Sequence, residues 1–271
     1  MKRISATIAH YGKDFLEYAL KSVENSVDEM LVIYTRHPTF GHGSKLSNPD
    51  TREQLKAIVN KFDKATWVDV ERPVSRENEH RQMYYDYANR RNYDQILIVD
   101  SDEVWHPDQV TKALDKAAEF GTYRVGIGGN QWITFWKSFN EYVQDGFYPI
   151  RIINLKAKPN TQEVLHMDHD TLIYHCGYMI SQELMEYKWG CHGHKDEIHA
   201  GFLEMYRHYD KTAYDQWLEG NFQPSWMIEG SYSRDKVFTL HPVAREIWRQ
   251  TKPFDKNTLP EFFKSHPKFN D

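Results

Sequence analysis

Cysteine is nearly absent: Cys176 and Cys191 are the only two in 271 residues. So few cysteines exclude a disulfide framework and lead to the expectation of a reducing, cytoplasmic compartment. Long apolar runs are lacking as well, and none approaches the ~18 residues of a membrane helix. The opening Met1-Lys2-Arg3-Ile4 passes straight into a strand pattern, without the apolar stretch and cleavage site of a signal peptide. An excess of charge is missing too. Lys plus Arg number 34 and Asp plus Glu 39, a net charge of −5 that speaks against a strongly basic nucleic-acid coat or a polybasic membrane patch. There is no internal repeat and no low-complexity linker. What the chain does hold is 14 His, 8 Trp and 17 Tyr. These types gather in polar clefts that take sugars, nucleotides or metals, although an aromatic core is the plainer use of the Trp and Tyr. The length suffices for one large domain or a domain with an appended lobe.

Periodicity organises the first 120 residues. Ile4, Ala6 and Ile8 alternate with polar neighbours as a strand ending at His10. Asp14 is placed to cap a helix with the stripe Phe15, Leu16, Ala19, Leu20 and Val23. Met30 to Tyr34 and Thr66 to Val70 read as strands. Between them Pro49 takes a first helical position before Leu55, Ile58, Val59 and Phe62. Glu77 to Arg91 is a polar amphipathic helix, Gln95 to Val99 an apolar central strand, and Pro107 to Phe120 a helix with Val110, Ala113, Leu114 and Ala117 inward. This alternation predicts an α/β layered fold with a mostly parallel sheet. Ligands of such sheets bind beyond the carboxyl ends of the strands, where His10, Thr35, Asp69 and Asp100 fall. Beyond about residue 155 the pattern is less regular. Residues 1–155 therefore read as the ligand-binding α/β part and 156–271 as a closing lobe of the same unit.

The most informative segment is Val99-Asp100-Ser101-Asp102-Glu103. A buried strand delivers three carboxylates into one turn, and Asp100 and Asp102 can point to the same side. Carboxylates that converge repel one another unless a cation lies between them. A hard divalent ion is a natural partner and also bridges phosphate oxygens. The plainer alternative is a solvated turn that caps the helix at Pro107.

This segment resembles the Asp-X-Asp motif of nucleotide-sugar glycosyltransferases with the GT-A fold, and more closely the family 2-like enzymes that write it Asp-X-Asp-Glu. The resemblance includes Ser22-Val23, Asp28-Glu29, Arg81-Gln82 (where the family carries Arg-Asn), Ala88, the strand from Tyr148 to Asn154 and Tyr174-His175-Cys176-Gly177-Tyr178, so that it covers about residues 1–180. It implies a GT-A-like, Rossmann-type fold with a smaller C-terminal acceptor lobe. It also implies a divalent ion, Mn2+ or Mg2+, held by Asp102 with Asp100 nearby and His175 as the distant ligand. The implied donor is a UDP-linked nucleotide sugar. A cation across the two phosphates stabilises the charge that grows on the leaving diphosphate.

Further candidates line the strand ends and the second half. His10, Tyr11 and Thr35 are nucleotide contacts, Asp69 a contact to uracil or ribose, and Arg81 a contact to base or phosphate. Lys195 or His194, in the dense run from Cys191 to Glu197, is placed to face the diphosphate. That run lacks the paired spacings of common zinc modules. Inverting transfer, as the resemblance implies it, needs a base within hydrogen-bond reach of the acceptor hydroxyl. Many relatives use a His-Glu pair there. This chain has His166-Met167, which leaves Asp168, Asp170, Glu163 and Asp196 as candidates. Trp132, Trp136, Trp189, Trp217 and Trp226 are possible sugar platforms, although most Trp residues are core anchors first.

Three rival readings differ in what they require. A sugar-phosphate nucleotidyltransferase needs a Gly-rich basic loop where Ala9-His10-Tyr11-Gly12-Lys13 stands. A metal-dependent phosphodiesterase, deacetylase or other hydrolase needs ligands on several strand ends. A non-catalytic carbohydrate or nucleotide binder has little use for three acids in one turn. With no membrane-binding helix, the acceptor is expected to be soluble or polymeric. One option is a glycan precursor. The other is hydroxymethylated DNA, since the chain resembles small family 2-like enzymes of tailed bacteriophages. For DNA, Arg76, Arg81, Arg90, Arg91 and Lys45, and separately Lys188, Lys195 and Arg207, are the candidate phosphate tracks. Oligomeric state is not legible.

Overall fold

The computed structural model describes residues 1–38, 46–74, 76–128, 132–144, 148–158, 164–167, 171–191, 203, 206–207 and 252–270. Strands β1 (Arg3–Ala9), β2 (Glu29–Thr35), β3 (Ala65–Val70) and β4 (Gln95–Ile98) lie parallel in the order β3-β2-β1-β4. The sheet continues through β9 (Ile150–Asn154), β6 (Arg124–Ile127) and β10 (Val164–Met167). β9 is antiparallel to both neighbours, so the seven-stranded sheet is mostly parallel, as the α/β alternation predicts.

The apolar runs of the central strands follow from burial on both faces. Met30, Val32, Tyr34, Leu97 and Val99 point to the layer formed by α1 (Leu16–Val23), α2 (Arg52–Val59) and α4 (Pro107–Glu119). Leu31, Ile33, Ile96 and Ile98 point to the other face, where α3 (Glu77–Arg90) contributes Tyr84 and Ala88. In α4, Pro107 occupies the first turn, and Val110, Ala113, Leu114 and Ala117 are buried as their spacing requires.

Two helix starts differ from expectation. Asp14 does not cap α1; the carbonyl of Gly12 accepts instead from the backbone N–H of Phe15 and of Leu16 (3.1 and 2.9 Å). Pro49 precedes α2 rather than opening it. The cap is Thr51, whose side chain and that of Gln54 form a reciprocal capping box that satisfies two orphan N–H groups.

A second, five-stranded sheet has the order β12-β8-β7-β11-β5. It comprises β5 (Glu103–Trp105), β7 (Trp132–Trp136), β8 (Ser138–Gln144), β11 (Ile173–Tyr178) and β12 (Lys252–Pro253). Both sheets draw strands from either side of residue 155. The helix α5 (Gln182–Cys191) and the segment 252–270 pack on the second sheet around Phe135, Phe139, Tyr174 and Phe263. No helix among the described residues is long and apolar enough to cross a membrane.

Candidate functional site

The acidic turn lies at the carboxyl edge of the parallel sheet. Val99 donates its N–H to Ala6 (3.0 Å), and the chain then turns, with Glu103 N–H on the Asp100 carbonyl (3.0 Å). The turn does not cap a helix. It leads into β5, and the residue before α4 is His106. β5 decides the rest of the site. It pairs antiparallel with β11, placing His175 opposite Glu103, and the Cys176 N–H donates to the Asp102 carbonyl at 2.7 Å. A histidine 73 residues away in sequence thereby reaches the turn.

Gly177 makes the approach possible. A Cβ at this position would stand 2.7 Å from His175 Nε2 and 2.8 Å from Asp102 Oδ2. The two donor atoms therefore flank one point, and only glycine leaves that point open. The other ring nitrogen of His175, Nδ1, lies 3.4 Å from Thr134 Oγ1, and Trp132 packs beside the ring at 5.5 Å. One carboxylate oxygen and one imidazole nitrogen oriented by a hydroxyl behind it suit a divalent cation of the Mn2+ or Mg2+ kind. Among the described residues no three His, Cys, Asp or Glu side chains gather as a metal cluster, so Asp102 and His175 are the pair those residues bring together here.

Two side-chain cations face the three acids. Arg151, on β9, donates through Nη2 to Asp100 (2.8 Å) and makes a two-pronged contact with buried Glu103, with Nε at 2.9 Å. Burial pushes Glu103 up and Arg151 opposes it; a guanidinium is not deprotonated in proteins, so Glu103 faces a permanent counter-ion. Lys188, on α5, places Nζ 3.4 Å from Asp102 Oδ2 and 3.3 Å from the Gly177 carbonyl. Burial would raise the Asp102 pKa, but Lys188 and His175 outweigh it and hold the carboxyl below its ordinary value. Converging carboxylates call for a cation, and within the protein Arg151 and Lys188 supply two side-chain cations against that repulsion.

The strand-end residues have defined local work. His10 is bonded on both sides, Nδ1 to the Thr35 carbonyl and Nε2 to the Tyr187 hydroxyl, each at 2.6 Å, and burial lowers its pKa. Thr35 is itself buried. Tyr11 lies beneath Lys188, its ring centre 5.8 Å from Nζ, and burial raises its pKa well above the ordinary value. Asp69 is gripped by Arg52 through Nε (2.8 Å) and Nη2, and that hydrogen bonding lowers its pKa despite some burial. Arg81 is half-buried on α3 beside Tyr84 and Tyr85, and Tyr84 feels the charges of both Arg81 and Asp100. Glu163, Asp168, Asp170, His194, Lys195, Asp196, Lys45, Trp217 and Trp226 lie outside the described residues.

No family model and no curated protein matches this chain. Solved structures do. S. aureus TarS 1–349 is 11% identical over 81% of this chain and 78% of its own, with a TM-score of 0.42. The same protein in complex with UDP is 14% identical over 78% of this chain and 73% of its own, at 0.41. HddC from Yersinia pseudotuberculosis is 8% identical over 69% of this chain and 98% of its own, at 0.40.

Sequence reasoning overlooked two members of the site. Asp50 is buried and accepts from the backbone N–H groups of Gly12 and Lys13 (2.7 and 2.9 Å), fixing the loop after β1. Nothing in Pro49-Asp50 marks it. Lys188 reads as a surface cation within a possible DNA track, whereas its ammonium is turned inward to Asp102. Arg151 was legible only as part of the strand resemblance.

Proposed function

We propose that this chain is a nucleotide-sugar glycosyltransferase, with a UDP-type donor bound at the carboxyl edge of the parallel sheet and a hydroxyl acceptor. The observation that supports this reading best is the meeting of Asp102 Oδ2 and His175 Nε2 around Gly177, beside the Lys188 ammonium. It adds a spatial argument to the sequence resemblance, because the distant histidine reaches the turn. When bound, a divalent cation at Asp102 and His175 supplies positive charge against the leaving diphosphate. Asp102 enters as a carboxylate at neutral pH because its two neighbours hold its pKa down. Thr134 orients the imidazole so that Nε2 faces the site. Arg151 keeps Asp100 and Glu103 in register, so that the turn does not spread under its own charge. Asp168, Asp170, Asp196 and Glu163 remain the candidates for the base that takes the acceptor proton, and all four lie outside the described residues.

A glycan-precursor hydroxyl is the better acceptor reading than hydroxymethylated DNA. Lys188 faces Asp102, and Arg91 sits at the far end of α3, over Tyr87 and near Glu29 at the opposite sheet edge. A continuous track from Arg76 to Arg91 to the acidic turn is not favoured by that placement.

The test is thermal denaturation with nucleoside diphosphates and metal. UDP with Mn2+ is expected to raise the melting temperature, and EDTA to cancel most of the rise, by mass action on the native state. An unchanged melting temperature with every nucleoside diphosphate overturns the donor reading. Incubation with a nucleotide-sugar panel and DNA containing 5-hydroxymethylcytosine, followed by nucleoside mass spectrometry, separates the acceptors.

A further inference from the structure

The position of Lys188 carries a consequence for donor binding that rests on the function proposed above. Its Nζ has two acceptors, the Asp102 carboxylate at 3.4 Å and the Gly177 carbonyl at 3.3 Å. An ammonium has three N–H donors, so among the described residues one donor has no acceptor. The side chain keeps 23% of its exposure, so Lys188 is not sealed in the core, and Nζ lies over the Tyr11 ring at 5.8 Å. Lys188 and Arg151 are the two side-chain cations that the salt bridges set against the acids of this turn. Without Lys188 the turn loses one positive charge, and a diphosphate approaching it meets more repulsion.

We infer that Lys188 is a diphosphate-binding residue: its third N–H donates to a phosphate oxygen of the nucleotide donor while the other two hold the Asp102 carboxylate and the Gly177 carbonyl. No proton is transferred and no bond is made or broken at Lys188. It acts as a fixed positive charge that links the carboxylate to the diphosphate. The helix that carries it is anchored for this purpose, because Tyr187, the preceding residue, is bonded to His10 at the end of β1. Tyr187 and Lys188 thus tie α5 to both the first and the fourth strand ends.

The ligand pair that tests this is UDP against uridine, which differ only in the diphosphate. By titration calorimetry Lys188→Gln is expected to weaken UDP at least about tenfold, the range of a hydrogen bond to a charged group, and to leave uridine within about twofold. Lys188→Arg, which keeps the charge, is expected to recover part of the UDP affinity. A second readout uses the unaltered protein: saturating UDP, but not uridine, slows acylation of Lys188 by an amine-reactive reagent, scored by peptide mass spectrometry. This arm holds even if Lys188→Gln fails to fold. Equal loss of UDP and uridine, or an acylation rate indifferent to UDP, overturns the assignment while the donor reading stands. Failure of the unaltered protein to bind UDP overturns both.

Discussion

Gly177 is the residue on which the site geometry turns. Its place at the contact of Asp102 and His175 means that a single methyl group intrudes on both donors at once. Gly177→Ala is therefore expected to abolish Mn2+-dependent UDP binding while the melting temperature of the free protein changes little, since both clashing atoms are side-chain ends that can turn away. Calorimetry with UDP and Mn2+, beside a melt of the free variant, checks both halves. Retained binding would show that the two side chains do not act together. The two cysteines stand apart from this chemistry. Each is buried, and burial pushes the Cys191 pKa up to about 11 and raises that of Cys176 well above its ordinary value, which accounts for them as inert packing thiols.

Elements are tied together at the opposite edge of the sheet by one carboxylate. Glu29, at the start of β2, accepts from Thr66 on β3 (2.7 Å), Tyr87 on α3 (2.5 Å) and Tyr93 before β4. Burial would raise its pKa, but these hydrogen bonds, with Arg91 nearby, bring it below the ordinary 4.5. A depressed carboxyl contributes stability that is present above its unfolded pKa and lost as the pH falls through the folded one. Glu29→Gln is thus expected to cost about 1–3 kcal/mol at pH 7. The gap from the unaltered protein should close as the pH drops below 4.5, the carboxyl's ordinary value. Urea midpoints across that range measure it, and a gap that stays constant with pH would assign the effect to shape rather than charge.

At the scale of the whole molecule, the last described segment closes the second core. Phe263 is fully buried against Phe139 (ring centres 4.9 Å apart) and Phe15, and His266 stacks on Phe15 at 4.5 Å. His266 Nε2 also lies 3.1 Å from the Asp14 carbonyl, so residues 252 positions apart meet just behind the loop that carries Tyr11 and Gly12. Phe263→Ala is expected to destabilise the protein by ~3–5 kcal/mol, through lost burial and the cavity left behind. A chemical denaturation midpoint checks it. A loss below about 1 kcal/mol would mean that the segment is not part of the cooperative core.

The sequence by itself determined the parallel sheet, the helices that cover it and the acidic turn at its carboxyl edge. Each of these is written in local periodicity: the run Gln95 to Val99, the α4 stripe and Pro107 all appear where their spacing places them. Helix starts were less legible, because Thr51 rather than Pro49 supplies the α2 cap and a carbonyl rather than Asp14 begins α1. The second sheet was not legible at all. Its strand β5 is three residues long, too short for a period to show, and its pairing with β11 spans about seventy residues. Only that pairing decides which histidine meets Asp102. Only the tertiary fold decides that Lys188 and Arg151 face the carboxylates, because a charged side chain at a helix or strand position carries no local sign of the partner it will find.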